Sequence, residues 1–132
     1  MKGITKEMLQ IYKPYSNADW LNYKLIKSDV TFHHIQKREN GGKRIIENGA
    51  LLMPVSHQYL HLIEYKNEEI YNILNKIFKL VNEQKHEPTT EQRRLVETIL
   101  QEFEMMYEKD KNSKGKILIQ KKYKNRMIFW HK

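Results

Sequence analysis

The stretch that decides the predicted fold is residues 32–61, which read FHHIQKRENGGKRIIENGALLMPVSHQYLH. It holds four of the six histidines of the chain, an adjacent pair at 33 and 34 and a second pair at 57 and 61. Strand-forming residues precede an Asn40-Gly41-Gly42 turn, and Ser56 can cap a helix that begins at His57. The predicted order is therefore strand, turn, strand, loop and helix.

The two histidine pairs can meet at one metal ion. Successive side chains of a strand alternate in direction, so either His33 or His34 can bind a metal while its neighbour stays unligated. His57 and His61 are four residues apart and share one face of a helix, where both can hold the same ion. Three imidazoles leave coordination positions open, as in a catalytic site. Nitrogen ligands favour Zn²⁺ or Ni²⁺, with Mg²⁺ and Mn²⁺ left open.

Composition limits the class of protein. A chain of 132 residues with 39% hydrophobic and 30% charged residues suggests one domain with a modest core. The absence of cysteine excludes disulfides, thiolate metal sites and cysteine nucleophiles. No long apolar run is present, so we expect no membrane span, no membrane partner and a cytoplasmic protein.

The net charge of +8 is concentrated at one end of the chain. Residues 111–132 contain eight Lys or Arg and no acidic residue, whereas the 16 basic and 16 acidic residues before them cancel. A neutral body with a basic arm is typical of nucleic-acid binding, because phosphate contacts supply affinity without sequence preference. A merely solubilising tail is an equal alternative on charge alone.

Periodicity and capping residues predict the helices. We expect short helices at about 5–12, opened by Thr5, and at about 18–27, capped by Ser16 or Asn17. Apolar residues at three- and four-residue steps predict helices at about 57–66, 68–83 and 90–109, with Asn67 capping the second of these. A returning strand is predicted at Arg44–Ile46. The last helix is expected to bury Leu95, Ile99, Phe103 and Met106, and Met105 and Tyr107 are assigned to the core.

On these motifs the chain resembles the HNH endonucleases with the ββα-metal fold, most closely the variety with a His-His first motif, as in colicin-type DNases. The similarity covers about residues 30–63 and rests on the sequences FHHI, ENGALL and HQYLH. It implies an α+β domain over residues 1–110, with a ββα-metal core at about 30–66 embedded in helices and a basic C-terminal arm at 111–132. Small nucleases of this kind often come from phages or mobile elements.

The resemblance also implies a role for each motif residue. His34 would be the general base that takes a proton from the attacking water. His33, His57 and His61 would hold one divalent ion, and His61 corresponds to a position that varies between ligand and substrate contact. Asn48 would fix the loop between the second strand and the helix and hold the His34 ring in register.

Basic residues near these motifs are candidates for nucleic-acid contacts, with DNA as the expected partner. Four lie between the predicted strands and four in the C-terminal arm: Lys37, Arg38, Lys43, Arg44, Lys121, Lys122, Lys124 and Arg126. A solvated turn explains the first four equally well. A homodimer stays open, since two sites related by a two-fold axis could cut both strands.

The complete set of histidines and Asn48 favours a metal-dependent endonuclease that hydrolyses phosphodiester bonds. A second hypothesis is a metal-stabilised HNH-like module that binds nucleic acid or protein without cutting. The presence of the extra imidazole of His34 argues against it, because a structural metal site has no use for a free base. A third, an unrelated helical regulator, requires every spacing to arise by chance.

Overall fold

The computed structural model describes residues 3–12 and 18–107, and in them the chain is α+β, with four α-helices and one two-stranded antiparallel sheet. In chain order the elements are α1 (Ile4–Ile11), β1 (Thr31–His34), β2 (Gly49–Leu52), α2 (Pro54–Lys66), α3 (Glu68–Gln84) and α4 (Thr90–Tyr107). The predicted basic arm at 111–132 lies outside the described residues. Within them, no helix has the length and apolar composition needed to cross a membrane.

The sheet pairs β1 with β2 so that His33 lies opposite Ala50 and His34 opposite Gly49. The predicted returning strand at 44–46 is wrong, because β2 begins only at Gly49 and residues 46–48 form a single 3-10 turn. The longer connection is folded tightly: a Cβ atom at Gly42 would lie 1.8 Å from the backbone oxygen of Gln36. This packing explains why glycine suits position 42.

Helix α2 begins three residues earlier than predicted. Pro54 occupies its first turn, where the missing N–H has no intrahelical partner to lose. Ser56 is therefore an internal residue of the helix and not its cap. The predicted break at Asn67 is confirmed, since α2 ends at Lys66 and the Asn67 side chain accepts a hydrogen bond from the backbone N–H of Ile70 at 3.1 Å.

The predicted helix at 18–27 is wrong. Its apolar residues suggested a helical face, but the backbone instead forms a tight turn closed by an isolated bridge between Ala18 and Lys24. The Asp19 carboxylate accepts hydrogen bonds from the backbone N–H groups of Leu21 and Tyr23, each at 2.9 Å. These side-chain bonds compete with helical ones, and the positive φ of 69° at Asn22 completes the turn.

The first and last helices also differ from prediction in detail. Helix α1 contains Thr5 as a buried internal residue and not as its cap. Helix α4 follows a capping box in which the Thr89 hydroxyl accepts from the Gln92 N–H at 3.1 Å and the Gln92 side chain accepts from the Thr89 N–H at 2.9 Å. Its buried face is rotated from the predicted one: the buried apolar residues are Val96, Ile99, Leu100 and Phe103, and Arg93 and Glu97 are buried with them.

Three residues assigned to the buried face of α4 from sequence are therefore misplaced. The exposed fractions are 50% for Leu95, 74% for Met105 and 62% for Met106. The apolar stripe predicted along α2 and α3 had seven members. Six of them are buried, namely Leu60, Ile63, Ile70, Leu74, Ile77 and Val81, and the seventh, Ile73, is 37% exposed. Helix α3 contacts α2, α4 and β2 and so forms the centre of the core, next to the sheet that carries the first histidine pair.

Candidate metal centre

Strand β1 and helix α2 bring three of the four clustered histidines together. One ring nitrogen from each of His33, His57 and His61 lies within 4.8 Å of the others, which is close enough for the three to bind one metal ion. His57 and His61 are one helical turn apart, and their rings stack at a centroid distance of 4.9 Å. The His33 ring meets them edge-on at 5.4 and 6.2 Å.

The environment of the cluster keeps its inner rings uncharged. Burial lowers the pKa of His33 to about 4; a hydrogen bond with Asn75 opposes this shift, and the neighbouring imidazoles add to it. Burial, followed by repulsion from His61 and His34, lowers the pKa of His57 to about 4 as well. Both rings are therefore neutral at pH 7, which is the form that can donate a lone pair to a cation.

His34 lies on the wall of the same cavity but is not one of the three grouped ligands. Adjacent side chains of a strand point to opposite faces of the sheet, so His33 and His34 would be expected to point apart. Both can line the cavity because β1 ends at His34. The His34 ring packs edge-on against Phe32 at 4.9 Å. Burial, followed by the positive charges of Arg38 and Arg44, lowers the pKa of His34.

Asn48 holds the connection between the strands and not the loop between β2 and α2. Its side-chain oxygen accepts from the Gln36 N–H at 2.7 Å, and its amide donates to the backbone oxygens of Gln36 at 3.0 Å and Lys43 at 2.9 Å. The Asn48 backbone oxygen accepts from the N–H of Ile35 at 2.8 Å. These bonds anchor the chain directly after His34, so Asn48 can fix the position of that residue through the backbone.

A cavity of about 390 Å³ opens in front of the histidines. Its lining combines rings with charged side chains: Phe32, His33, His34, Lys37, Arg38, Glu39, His57, His61 and Tyr71. Two of the four basic residues predicted between the strands, Lys37 and Arg38, belong to this lining. Arg44 lies beside it, with its guanidinium 5.0 Å from the Phe32 ring centroid, whereas the side chain of Lys43 is exposed and is not in the lining.

Each of the three grouped rings has a hydrogen-bond partner behind it. His33 Nε2 lies 2.9 Å from Asn75 Oδ1, His57 Nδ1 lies 3.0 Å from Thr31 Oγ1, and His61 Nδ1 lies 3.3 Å from Glu64 Oε1. The sequence reasoning did not identify these partners. A signal exists for Asn75, which is a polar residue on the buried face of α3, and for Glu64, which is three residues after His61.

Glu64 also forms an ion pair with Lys37, which links α2 to the connection between the strands. Partial burial alone would raise the pKa of Glu64, but hydrogen bonds from Lys37 and His61 outweigh it and lower that pKa. The bond with Glu64 in turn raises the pKa of Lys37. Glu64 is thus a carboxylate at neutral pH, and its oxygen accepts a hydrogen bond from the His61 ring.

Asp19 sets the start of the helix that carries two of the histidines. Its second carboxylate oxygen accepts from the Met53 N–H at 2.8 Å and from the Ser56 hydroxyl, directly before His57. Complete burial raises the pKa of Asp19 to about 6, against the lowering effect of its four hydrogen bonds. No sequence signal pointed to this residue, because its partners lie up to 37 positions away.

His86 does not belong to the group of histidines that could hold a metal ion. His86 is exposed and interacts with the backbone oxygen of Glu87. Lys121, Lys122, Lys124 and Arg126 lie outside the described residues. Comparison of the chain with protein-family models, with curated proteins and with solved structures gives no significant match.

Proposed function

We propose that this protein is a metal-dependent endonuclease of the HNH type, with β1, β2 and α2 as its ββα-metal core and DNA as its substrate. The observation that carries the proposal is the convergence of His33, His57 and His61 beside a cavity whose wall also includes His34. Three protein ligands leave a coordination position open, as in a catalytic site, whereas structural zinc sites are usually closed by four. The fourth imidazole supplies the base that hydrolysis of a phosphodiester requires.

His34 has the chemical properties of that base. Its lowered pKa keeps the ring neutral at pH 7, so it can take a proton from a water molecule that attacks phosphorus. The protonated ring would then lie near Arg38 and Arg44, whose charges oppose protonation in the substrate-free protein. A bound phosphate diester adds negative charge at this point and makes the protonated ring easier to form.

The three grouped imidazoles fit a divalent transition ion, because imidazole nitrogen is a donor that zinc and nickel prefer. When bound, such an ion would polarise a phosphate oxygen and stabilise the leaving oxygen as it gains charge. Lys37 and Arg38 line the same opening and Arg44 lies beside it, so the three can attract and orient the phosphate backbone. Base edges play no part in such contacts, so they carry no sequence preference.

Plasmid nicking tests the proposal. Purified full-length protein should convert supercoiled DNA to the open form with Zn²⁺, Ni²⁺, Mn²⁺ or Mg²⁺ and lose this activity with a chelator. His34→Ala should reduce the rate at least about 100-fold, the usual contribution of a general base, while Zn²⁺ affinity is retained. The matched control His86→Ala removes an exposed histidine outside the cavity and should cut like wild type. Equal inactivity of wild type and His34→Ala with all four ions would contradict the proposal.

A second function, a metal-stabilised module that binds without cutting, is favoured by the burial of His33, which is 2% exposed. A metal ion there would join the sheet to α2 and stabilise the fold whether or not DNA is cleaved. Protein that retains DNA in a gel-shift assay, unfolds more easily without metal and never nicks would support this second function.

A further inference from the structure

The hydrogen bonds to the rings of the three histidines determine which nitrogen of each ring carries the hydrogen and which carries the lone pair. A neutral imidazole carries one N–H and one lone pair, and only the nitrogen with the lone pair can bind a cation. The partner of the other nitrogen therefore decides which atom faces the metal. Each of the three rings has such a partner at one nitrogen.

The partner of His57 can only accept. The Thr31 hydroxyl has one hydrogen and donates it to the backbone oxygen of Leu52 at 2.7 Å. It cannot also donate to His57, so the 3.0 Å contact must be a hydrogen bond from His57 Nδ1–H to Thr31 Oγ1. The lone pair of His57 is then on Nε2. This chain of two bonds connects the ring to the backbone of β2.

The other two partners are acceptors as well. Asn75 presents its amide oxygen to His33 at 2.9 Å, so Nε2 of His33 carries the hydrogen and Nδ1 carries the lone pair. Glu64 presents a carboxylate oxygen to Nδ1 of His61 at 3.3 Å, which leaves Nε2 of His61 free. The bond between His33 and Asn75 is buried, whereas the bond between His61 and Glu64 is at a half-exposed ring. We therefore expect Asn75 to hold the His33 ring more firmly than Glu64 holds the His61 ring.

We propose that Asn75 and Thr31 are positioning residues of the metal centre, and that with Glu64 they direct Nδ1 of His33 and Nε2 of both His57 and His61 toward the ion. Asn75 lies on α3, outside the β1–β2–α2 unit, so the helix at the centre of the core takes part in metal binding. The inference rests on the metal site of the proposed function but not on cleavage. It predicts that affinity depends on two residues that never touch the ion.

Two measurements test the assignment. Long-range ¹H–¹⁵N correlation spectra of the metal-free protein at pH 7.5 should show the hydrogen on Nε2 of His33 and on Nδ1 of His57 and His61. Zn²⁺ dissociation constants from competition with a chromophoric chelator should then rise about 10- to 100-fold in Thr31→Val and Asn75→Leu, the range expected for loss of an outer partner. Glu64→Gln, at an exposed and longer bond, should have a smaller effect.

Conservative variants separate positioning from packing. Thr31→Ser keeps the hydroxyl and Asn75→Asp keeps an acceptor oxygen, so both should bind Zn²⁺ within about threefold of wild type. Asn72→Ala, at an exposed site on the same helix as Asn75, is the neutral control.

If Asn75→Leu fails to fold, two results still test the inference. They are the tautomers in the wild-type spectra and the Zn²⁺ dissociation constants of Thr31→Val and Thr31→Ser. The opposite tautomers, or Thr31→Val affinity equal to that of Thr31→Ser, would overturn the inference. Wild type that binds Zn²⁺ with the expected tautomers but never nicks DNA would contradict the proposed function and leave this inference standing, whereas wild type that binds none of the four ions would contradict both.

Discussion

At the residue scale, the three grouped histidines differ in how deeply their rings are buried. His33 is enclosed by the ring of Tyr71 at 6.1 Å and that of Phe78 at 5.9 Å, while His61 stands at the rim. Desolvation disfavours a positive charge, so the inner rings give up their protons more readily than a free histidine. Burial therefore keeps the rings of His33 and His57 in the neutral form that can bind a cation at pH 7.

This burial predicts a pH dependence of stability for the metal-free protein. In the unfolded chain His33 and His57 take up protons near the ordinary pKa of 6.5, but in the folded protein only near pH 4. The unfolded state therefore binds more protons between these values, and the free energy of unfolding should fall as pH falls from about 6.5 to 4.

Asp19 acts in the opposite direction. Its pKa rises from 3.8 to about 6 on folding, so the folded state binds the extra proton in that window. Two histidines outweigh one carboxyl, and we expect a net decline. Urea denaturation at pH 7.5, 6 and 5 measures it, with His57→Gln giving a shallower decline and exposed His86→Gln the wild-type one. A free energy of unfolding that stays constant over this range would contradict the burial argument.

At the element scale, the start of α2 depends on a side chain distant in sequence. One carboxylate oxygen of Asp19 accepts from the N–H groups of its own turn. The other accepts from the Met53 N–H and the Ser56 hydroxyl at the start of α2. Hydrogen bonds at a helix start satisfy N–H groups that have no partner inside the helix. The turn at 18–24 thus serves as the cap that Met53 itself does not provide.

Replacing Asp19 by Asn should therefore destabilise the protein. The amide retains one acceptor oxygen but turns an N–H₂ group toward buried donors, which should cost about 2 kcal/mol in the free energy of unfolding. Zn²⁺ affinity should fall too, because His57 follows the loosened turn. Asp29→Asn, at an exposed carboxylate, is the matched control and should change stability by less than about 0.5 kcal/mol. Equal stability of the two variants in urea would show that Asp19 does not hold the helix.

At the scale of the whole molecule, buried polar groups join the elements around α3. The Tyr12 hydroxyl donates to Asn82 Oδ1 at 2.6 Å, and the Asn82 amide donates to the backbone oxygens of Glu47 at 3.2 Å and Gly49 at 2.8 Å. Asn75 lies about two turns before Asn82 on the same buried face of α3, and its side chain interacts with His33 on β1. Helix α3 thereby fixes both strands relative to α1 and to the candidate metal centre.

Because the three ligands come from two elements, metal binding should stabilise the whole fold. A ligand that binds only the folded state at 100 times its dissociation constant adds about 2.7 kcal/mol to the free energy of unfolding. We expect Zn²⁺ to raise the melting temperature of wild type and of His34→Ala alike, and to leave that of His57→Ala unchanged. Differential scanning calorimetry with and without chelator measures this, and a Zn²⁺ response retained in His57→Ala would rule out the three-histidine site.

The amino-acid sequence by itself determined the order of strands and helices around the histidines, the break at Asn67 and the shared face of His57 and His61. These features depend on residues within a turn or two of one another, so periodicity and capping reveal them. The tertiary structure decided the turn at 18–24, the late start of β2, the rotation of α4, the depth of His33 and the partners Thr31 and Asn75. The turn at 18–24 combines local bonds of Asp19 to Leu21 and Tyr23 with bonds to Met53 and Ser56, 34 and 37 positions away. The bond between His33 and Asn75 spans 42 positions, and local periodicity does not specify which distant residues meet.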